Sequence, residues 1–194
     1  MRIDNSFEVP LPPDEAWKVL LDIERIAPCM PGAELTEIVD ARTYRGKVSV
    51  RLGPVALAFA GEVRFEDIDD QDRKARAVAQ GKDSKGRGGA NANVDFHLEP
   101  AGLGSKVLVA TDLNLSGSIA QYGRASGMIQ GVATALIGQF AENLRMQLEN
   151  EENAKGGAVQ PIASAAQPIS GFALIFQGLW NVILRLFGGA PGKN

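Results

Sequence analysis

Between Ala33 and Gly117 the sequence alternates apolar and polar residues in run after run, and this pattern constrains the fold more than any other feature of the chain. In "TYRGKVSVRL", Tyr44, Gly46, Val48, Val50 and Leu52 share one face, while Arg45, Lys47, Ser49 and Arg51 share the other. That period of two is what a half-buried strand requires. Gly53-Pro54 turns the chain, and "VALAFAGEVRFEDI" then sets Val55, Leu57, Phe59, Val63 and Phe65 opposite Ala56, Ala58, Glu62 and Arg64. After the turn "DDQDR", the runs "KARAVAQ", "GGANANVDFHLEP" and "SKVLVATDLNLSG" continue the pattern, turning Ala90, Ala92, Val94, Phe96, Leu98, Val107, Val109, Thr111, Leu113 and Leu115 inward. With "RIDNSFEV" as a first strand, the runs predict an antiparallel sheet of about seven strands whose apolar face must be covered.

A cover follows directly. From Ser118 to Glu149, Tyr122, Ile129, Leu136, Phe140 and Leu144 recur near helical spacing, and a helix of that length reaches about 45 Å, enough to cross a sheet. The expected class is α+β, a curved antiparallel sheet wrapped on a long C-terminal helix. A shorter helix carrying Trp17, Val19, Leu20 and Leu21 is expected after the first strand, capped by Asp14 and closed by Pro28 and Pro31. The long helix holds Gly123, Gly127, Gly131 and Gly138 on nearly one face with Ala135. Each interior glycine costs about 0.8–1 kcal/mol relative to alanine. Either the helix backbone approaches the sheet closely there, or the missing side chains leave room for a ligand. Ala75, Ala77, Ala79, Ala90 and Ala92 on the facing strands extend the second reading to an apolar void.

Several function classes are excluded. A net charge of −3 gives no basic surface of the kind nucleic acid demands. Cys29 is the single cysteine and His97 the single histidine, so neither a disulfide nor a Cys/His metal cluster is expected, and a reducing compartment fits. The polar start "MRIDNSFEVP" reads as lacking a signal peptide, so the chain is expected in the cytoplasm. His97 and Asp95 share an outward face and read as a solvated pair rather than a catalytic base. Cys29, near Pro28 and Pro31, reads as a packed thiol with no base to activate it. "GKDSKGRGGA" lacks the spacing of a phosphate-binding loop and reads as a hairpin. No catalytic residue is expected.

Composition changes after Glu149. "NEENAKGGAVQPIASAAQPIS" has no periodicity and reads as a linker. The expected organisation is a ligand-binding domain over 1–150, a flexible linker over 151–168, an amphipathic helix over 169–187 and a disordered end over 188–194. In that helix Phe172, Leu174, Ile175, Phe176, Leu179, Trp180, Ile183, Leu184, Leu186 and Phe187 form a wide apolar arc beside a stripe containing Gln177, Asn181 and Arg185. Its length of about 28 Å just matches a bilayer core, while the polar stripe suits lying in the interface. Docking on another protein, or self-association through this helix, is the non-membrane reading.

The order of strand, short helices, six strands and long helix resembles the helix-grip fold of the START and Bet v 1-like superfamily. "APCMPGAE" (27–34), "YRGKVSVRLGPVALAFAGEV" (44–63) and "LSGSIAQYGRASGMIQGVATALIGQFAENL" (115–144) are more specifically similar to the carbon monoxide dehydrogenase CoxG family. The resemblance implies an accessory protein of a molybdenum carbon monoxide dehydrogenase or a related hydroxylase, associated with bringing that enzyme to the cytoplasmic membrane, and it implies no catalytic residues. Joined to a cavity, a tether and a membrane-seeking helix, it leads to the expectation of a carrier for a respiratory quinone, menaquinone or ubiquinone, held as a transported ligand and not as a covalent cofactor. The expected ligand-binding residues are Tyr44, Val48, Leu57, Phe59, Ala92, Phe96, Val109, Leu113, Tyr122, Gly127, Met128, Ile129 and Val132, with the Tyr122 hydroxyl orienting a quinone carbonyl. The alternatives are a ligand-free scaffold that recruits the dehydrogenase to the inner face of the membrane, and a polyketide-cyclase-like enzyme.

Overall fold

The computed structural model describes residues 1–123 and 126–156. Seven antiparallel strands form one sheet: β1 (Arg2–Val9), β2 (Ala33–Ile38), β3 (Thr43–Leu52), β4 (Val55–Asp69), β5 (Lys74–Asp83), β6 (Gly88–Ala101) and β7 (Gly104–Gly117). Their order across the sheet is β1-β7-β6-β5-β4-β3-β2, so β1 and β2 are the edges. Between β1 and β2 lie α1 (Pro13–Leu21), α2 (Ile23–Ile26) and a 3-10 turn (Ala27–Cys29). After β7 come α3 (Ala120–Gly123) and α4 (Ser126–Gly156). This is the antiparallel sheet with a long C-terminal helix that the alternating runs and the helical spacing predict, and the helix-grip fold that the resemblance implies.

The strand register confirms which residues share the inner face. Tyr44, Val48 and Val50 face Val63, Phe59 and Leu57 across the β3–β4 pair, and Ala92, Phe96 and Leu98 face Leu113, Val109 and Val107 across β6–β7. Two glycines allow the sheet to bend. A Cβ on Gly61 would lie 1.9 Å from the Gln80 carbonyl oxygen, and one on Gly88, whose φ is +146°, would lie 1.9 Å from that of Ser116. No side chain fits at either position, so neighbouring strands approach there more closely than an ordinary sheet permits.

Two expectations about helices are corrected. Asp14 does not cap α1: Pro12 occupies that position without a side-chain bond, because Pro13 opens the helix. Asp14 instead sits in the first turn and pairs with Arg73 at 2.7 Å. The C-terminal helix continues to Gly156, six residues into the segment read as linker. Glu151 explains part of that extension, since its carboxylate pairs with Arg25 and accepts a hydrogen bond from Gln147 Nε2 at 3.2 Å. The remaining linker and the amphipathic segment 169–187 lie outside the described residues, as does the end 188–194. Among the described residues no helix is long and apolar enough to cross a membrane.

The core divides into two apolar clusters. One gathers Val9, Trp17, Leu20, Phe65, Leu98, Val107, Phe140, Leu144 and Leu148 beneath α1 and the C-terminal half of α4. Trp17 donates its indole N–H to Asp70 Oδ1 at 2.8 Å and packs on Phe96, with ring centroids 5.8 Å apart. The second cluster, Leu52, Leu57, Phe59 and Ile119, closes the opposite end of the sheet.

Candidate ligand-binding cleft

The space between these clusters is the candidate site. A continuous inner-face row runs Ile38–Tyr44–Val63–Ala79–Ala92–Leu113 across six strands by successive cross-strand pairing. Beside it runs a row of smaller residues, Gly46–Gly61–Gly81–Ala90, ending at Leu115. Val63, Ala79, Ala92 and Leu113 belong to neither apolar cluster. Val63 is 38 % exposed although it faces inward, and Ala79, Ala92 and Leu113 are only half-buried. Small side chains in the middle of a face flanked by large ones define a strip, hereafter the gap, that neither cluster covers. Val132, Ala133, Leu136 and Ile137 are half-buried on the inward side of α4.

The expected binding residues distribute unevenly about this gap. Val48, Leu57, Phe59, Tyr122 and Val132 belong to or pack against the cluster at one end. Tyr44, Phe96 and Val109 pack against the cluster at the other. Ala92 and Leu113 lie between them, and Ile129 is buried. Gly127 and Met128 are corrections: Gly127 is exposed, a Cβ there would meet nothing within 4 Å, and Met128 is exposed as well. Gly131 and Gly138 are likewise exposed and open. The inward stripe of α4 is set by Ile129, Phe140, Leu144 and Leu148, and at about 100° per residue the glycines fall on the opposite side of the helix. They neither approach the sheet nor enlarge the gap. Ala75 and Ala77 do not line a void either, because both are buried in the Trp17 cluster. Val63 lies in the inner-face row without being among the expected binding residues, although the alternation already sets it on the inward face.

Polar groups at the site are few. Tyr44 stands edge-on to Phe65 with centroids 6.4 Å apart, and its hydroxyl donates to the Ala41 carbonyl at 3.0 Å, away from the gap. Burial, then the charges of Asp22, Asp40 and Glu24, push its pKa up, so the phenol stays neutral. The Tyr122 hydroxyl makes no hydrogen bond to the described residues. Cys29 is buried, donates to Gln147 Oε1 at 3.1 Å and has its pKa raised first by burial. His97 lies on the outer face within 3.5 Å of Glu99, while Asp95 pairs with Arg76 at 2.7 Å. Among the described residues no group of His, Cys, Asp or Glu is arranged to hold a metal. On the outer face a separate polar groove of about 960 Å³ runs past Lys47, Ala60, Gln80 and Lys82.

One end and one side of the gap are fastened by polar contacts. Asp83 is buried. Arg87 binds its carboxylate through Nε and a terminal nitrogen, both at 2.8 Å, and also donates to the Ala56 carbonyl at 2.9 Å. Ser118 donates its hydroxyl to the Arg87 carbonyl at 2.9 Å, tying the β5–β6 hairpin to the start of the helical region. Along β1, Gln130 Nε2 donates to the Asp4 carbonyl at 3.4 Å and Thr134 bonds Asn5 at 3.1 Å.

Comparison with known proteins follows the same outline. The sequence profile of the carbon monoxide dehydrogenase CoxG subunit matches residues 6–149. No curated protein sequence matches the chain. A conserved protein from Geobacillus kaustophilus superposes with a TM-score of 0.67 at 20 % identity, covering 78 % of this chain and 97 % of that one. A protein from Thermus thermophilus gives 0.57 at 16 % identity over 78 % and 99 % of the two chains. The Zhui aromatase/cyclase from a Streptomyces species gives 0.55 at 13 % identity over 82 % and 99 %. At such identities these structures speak for the shared fold alone.

Proposed function

The chain belongs to the carbon monoxide dehydrogenase CoxG family, and from that premise we propose that it is a non-catalytic carrier that takes a respiratory quinone, menaquinone or ubiquinone, from the membrane to a molybdenum carbon monoxide dehydrogenase or related hydroxylase and returns the quinol. The observation that carries this reading is the inner-face row Val63–Ala79–Ala92–Leu113, which lies between two apolar clusters without joining either. An unfilled apolar gap costs stability, and a planar head group with an isoprenoid chain supplies the apolar contacts it lacks. Tyr122, beside the gap, offers a hydroxyl to a quinone carbonyl. The amphipathic segment 169–187 serves as the membrane contact, peripheral or inserted, and places the protein on the cytoplasmic face.

Carrier action requires no covalent step by this chain. The outward position of His97 and the packed thiol of Cys29 agree with that reading. The test is native mass spectrometry with organic extraction on the full chain, purified from its own host without detergent. A stoichiometric isoprenoid quinone supports the carrier. A chain that arrives empty and also fails to bind added quinone leaves the ligand-free scaffold, recruiting the dehydrogenase to the membrane, as the better account.

A further inference from the structure

Two inward-facing apolar residues near one edge of the sheet, Val63 and Ile38, are exposed. Along the row, Leu113, Ala92, Ala79 and Tyr44 are half-buried, whereas Val63 is 38 % exposed and Ile38, on the edge strand β2, is 46 % exposed on either side of Tyr44. Cross-strand pairing makes these residues one continuous apolar strip, because Ile38 pairs with Tyr44 and Tyr44 with Val63. Val39, the next residue after β2, is also exposed.

The other boundaries of the gap are closed among the described residues. At one end stand Leu52, Leu57, Phe59 and the fully buried Ile119, with Arg87 and Asp83 holding the hairpin above them. At the other end stands the Trp17 cluster. On the β1 side, Gln130 and Thr134 of α4 hydrogen-bond to Asp4 and Asn5. On the β2 side the hydroxyl of Tyr44 turns outward to Ala41, and its ring stays against Phe65. Among the residues of the inner-face row, exposed apolar side chains are thus found where the strip reaches the β2 edge, at Val63 and Ile38.

We infer that the apolar ligand enters and leaves the cleft between Ile38 and Val63, at the β2 edge of the sheet, with its hydrocarbon chain lying along that strip. This rests on the carrier reading and adds the route to it. Alternating apolar exposure on an edge strand invites aggregation unless something covers it. A hydrocarbon chain trailing from the gap covers both Ile38 and Val63.

The experiment uses the full chain with Ile38→Cys or Val63→Cys, and Leu103→Cys as a control, since Leu103 is 98 % exposed in the β6–β7 turn. Decyl-ubiquinone is the probe, its binding followed by tryptophan fluorescence, and maleimide labelling of each cysteine is timed with and without it. The native Cys29, buried against Gln147, is the slow internal reference. At about ten times its Kd the probe is expected to slow labelling at both edge positions roughly tenfold by mass action, and to leave the control unchanged. Binding without protection at either edge position overturns the route and leaves the carrier standing. Absence of binding overturns both. As a second readout, Ile38→Arg, which puts a charge where the hydrocarbon chain passes, is expected to slow association of the probe severalfold, and an unchanged association rate also overturns the route.

Discussion

Arg87 grips Asp83 through two nitrogens, each 2.8 Å from a different carboxylate oxygen, and the same carboxylate accepts the backbone N–H of Lys85 at 3.1 Å. The Arg87 contact above all holds the Asp83 carboxyl far below the usual carboxylate range. The folded pKa is depressed, so the stability linked to this group is complete above the unfolded value of 3.8 and is lost as pH falls below it. Urea unfolding measured from neutral pH into that acid range is expected to show a steep loss for the natural chain. Asp83→Asn is expected to lower stability at pH 7 and to flatten the acid limb.

The glycines of α4 and of the sheet answer oppositely to the same change. Gly131→Ala and Gly138→Ala place a methyl group in open space, and each is expected to raise stability by about 0.5–1 kcal/mol in urea unfolding. Gly61→Ala drives a methyl group into the Gln80 carbonyl and is expected to destabilise the fold, with a lower melting temperature by circular dichroism.

Ala92→Phe or Ala79→Leu fills the gap between the two clusters. Quinone binding is expected to fall at least about tenfold, a loss of roughly 1.4 kcal/mol, while the melting temperature is kept or raised. A melting temperature that collapses instead shows the gap to be packed and empty of purpose.

Cys29 lies beneath the C-terminal half of α4, and Asn143 donates to its carbonyl at 2.9 Å. With its pKa raised by burial, a smaller thiolate fraction is present at any pH near neutrality. Disulfide-exchange reagents are expected to modify it only on the timescale of unfolding, so its labelling rate in urea should track the loss of structure.

Removal of residues 157–194 is expected to reduce co-sedimentation with lipid vesicles while the melting temperature of the remainder changes little. Vesicle binding that persists after the deletion places the membrane contact on the sheet domain instead.

Strand number, strand faces and the long helix were legible in the sequence because alternation and helical spacing are local: each residue's side is set by its neighbours along the chain. The inward positions of Tyr44, Phe59, Ala92 and Leu113 follow from that rule. The side of α4 that its glycines occupy did not follow. Helical spacing puts Gly127, Gly131 and Gly138 together, but only packing decides that Ile129, Phe140 and Leu144 take the sheet and leave those glycines to water. The cleft is also a tertiary property. Ala75 and Ala79 look alike in "KARAVAQ", yet the first is buried in the Trp17 cluster as the cross-strand partner of Phe96, while the second belongs to the row that neither cluster reaches. Register joins Ile38 to Val63 through Tyr44, three residues on three strands that no local period relates. Periodicity determines which face a residue shows, and the volumes of residues distant in sequence determine where that face is filled.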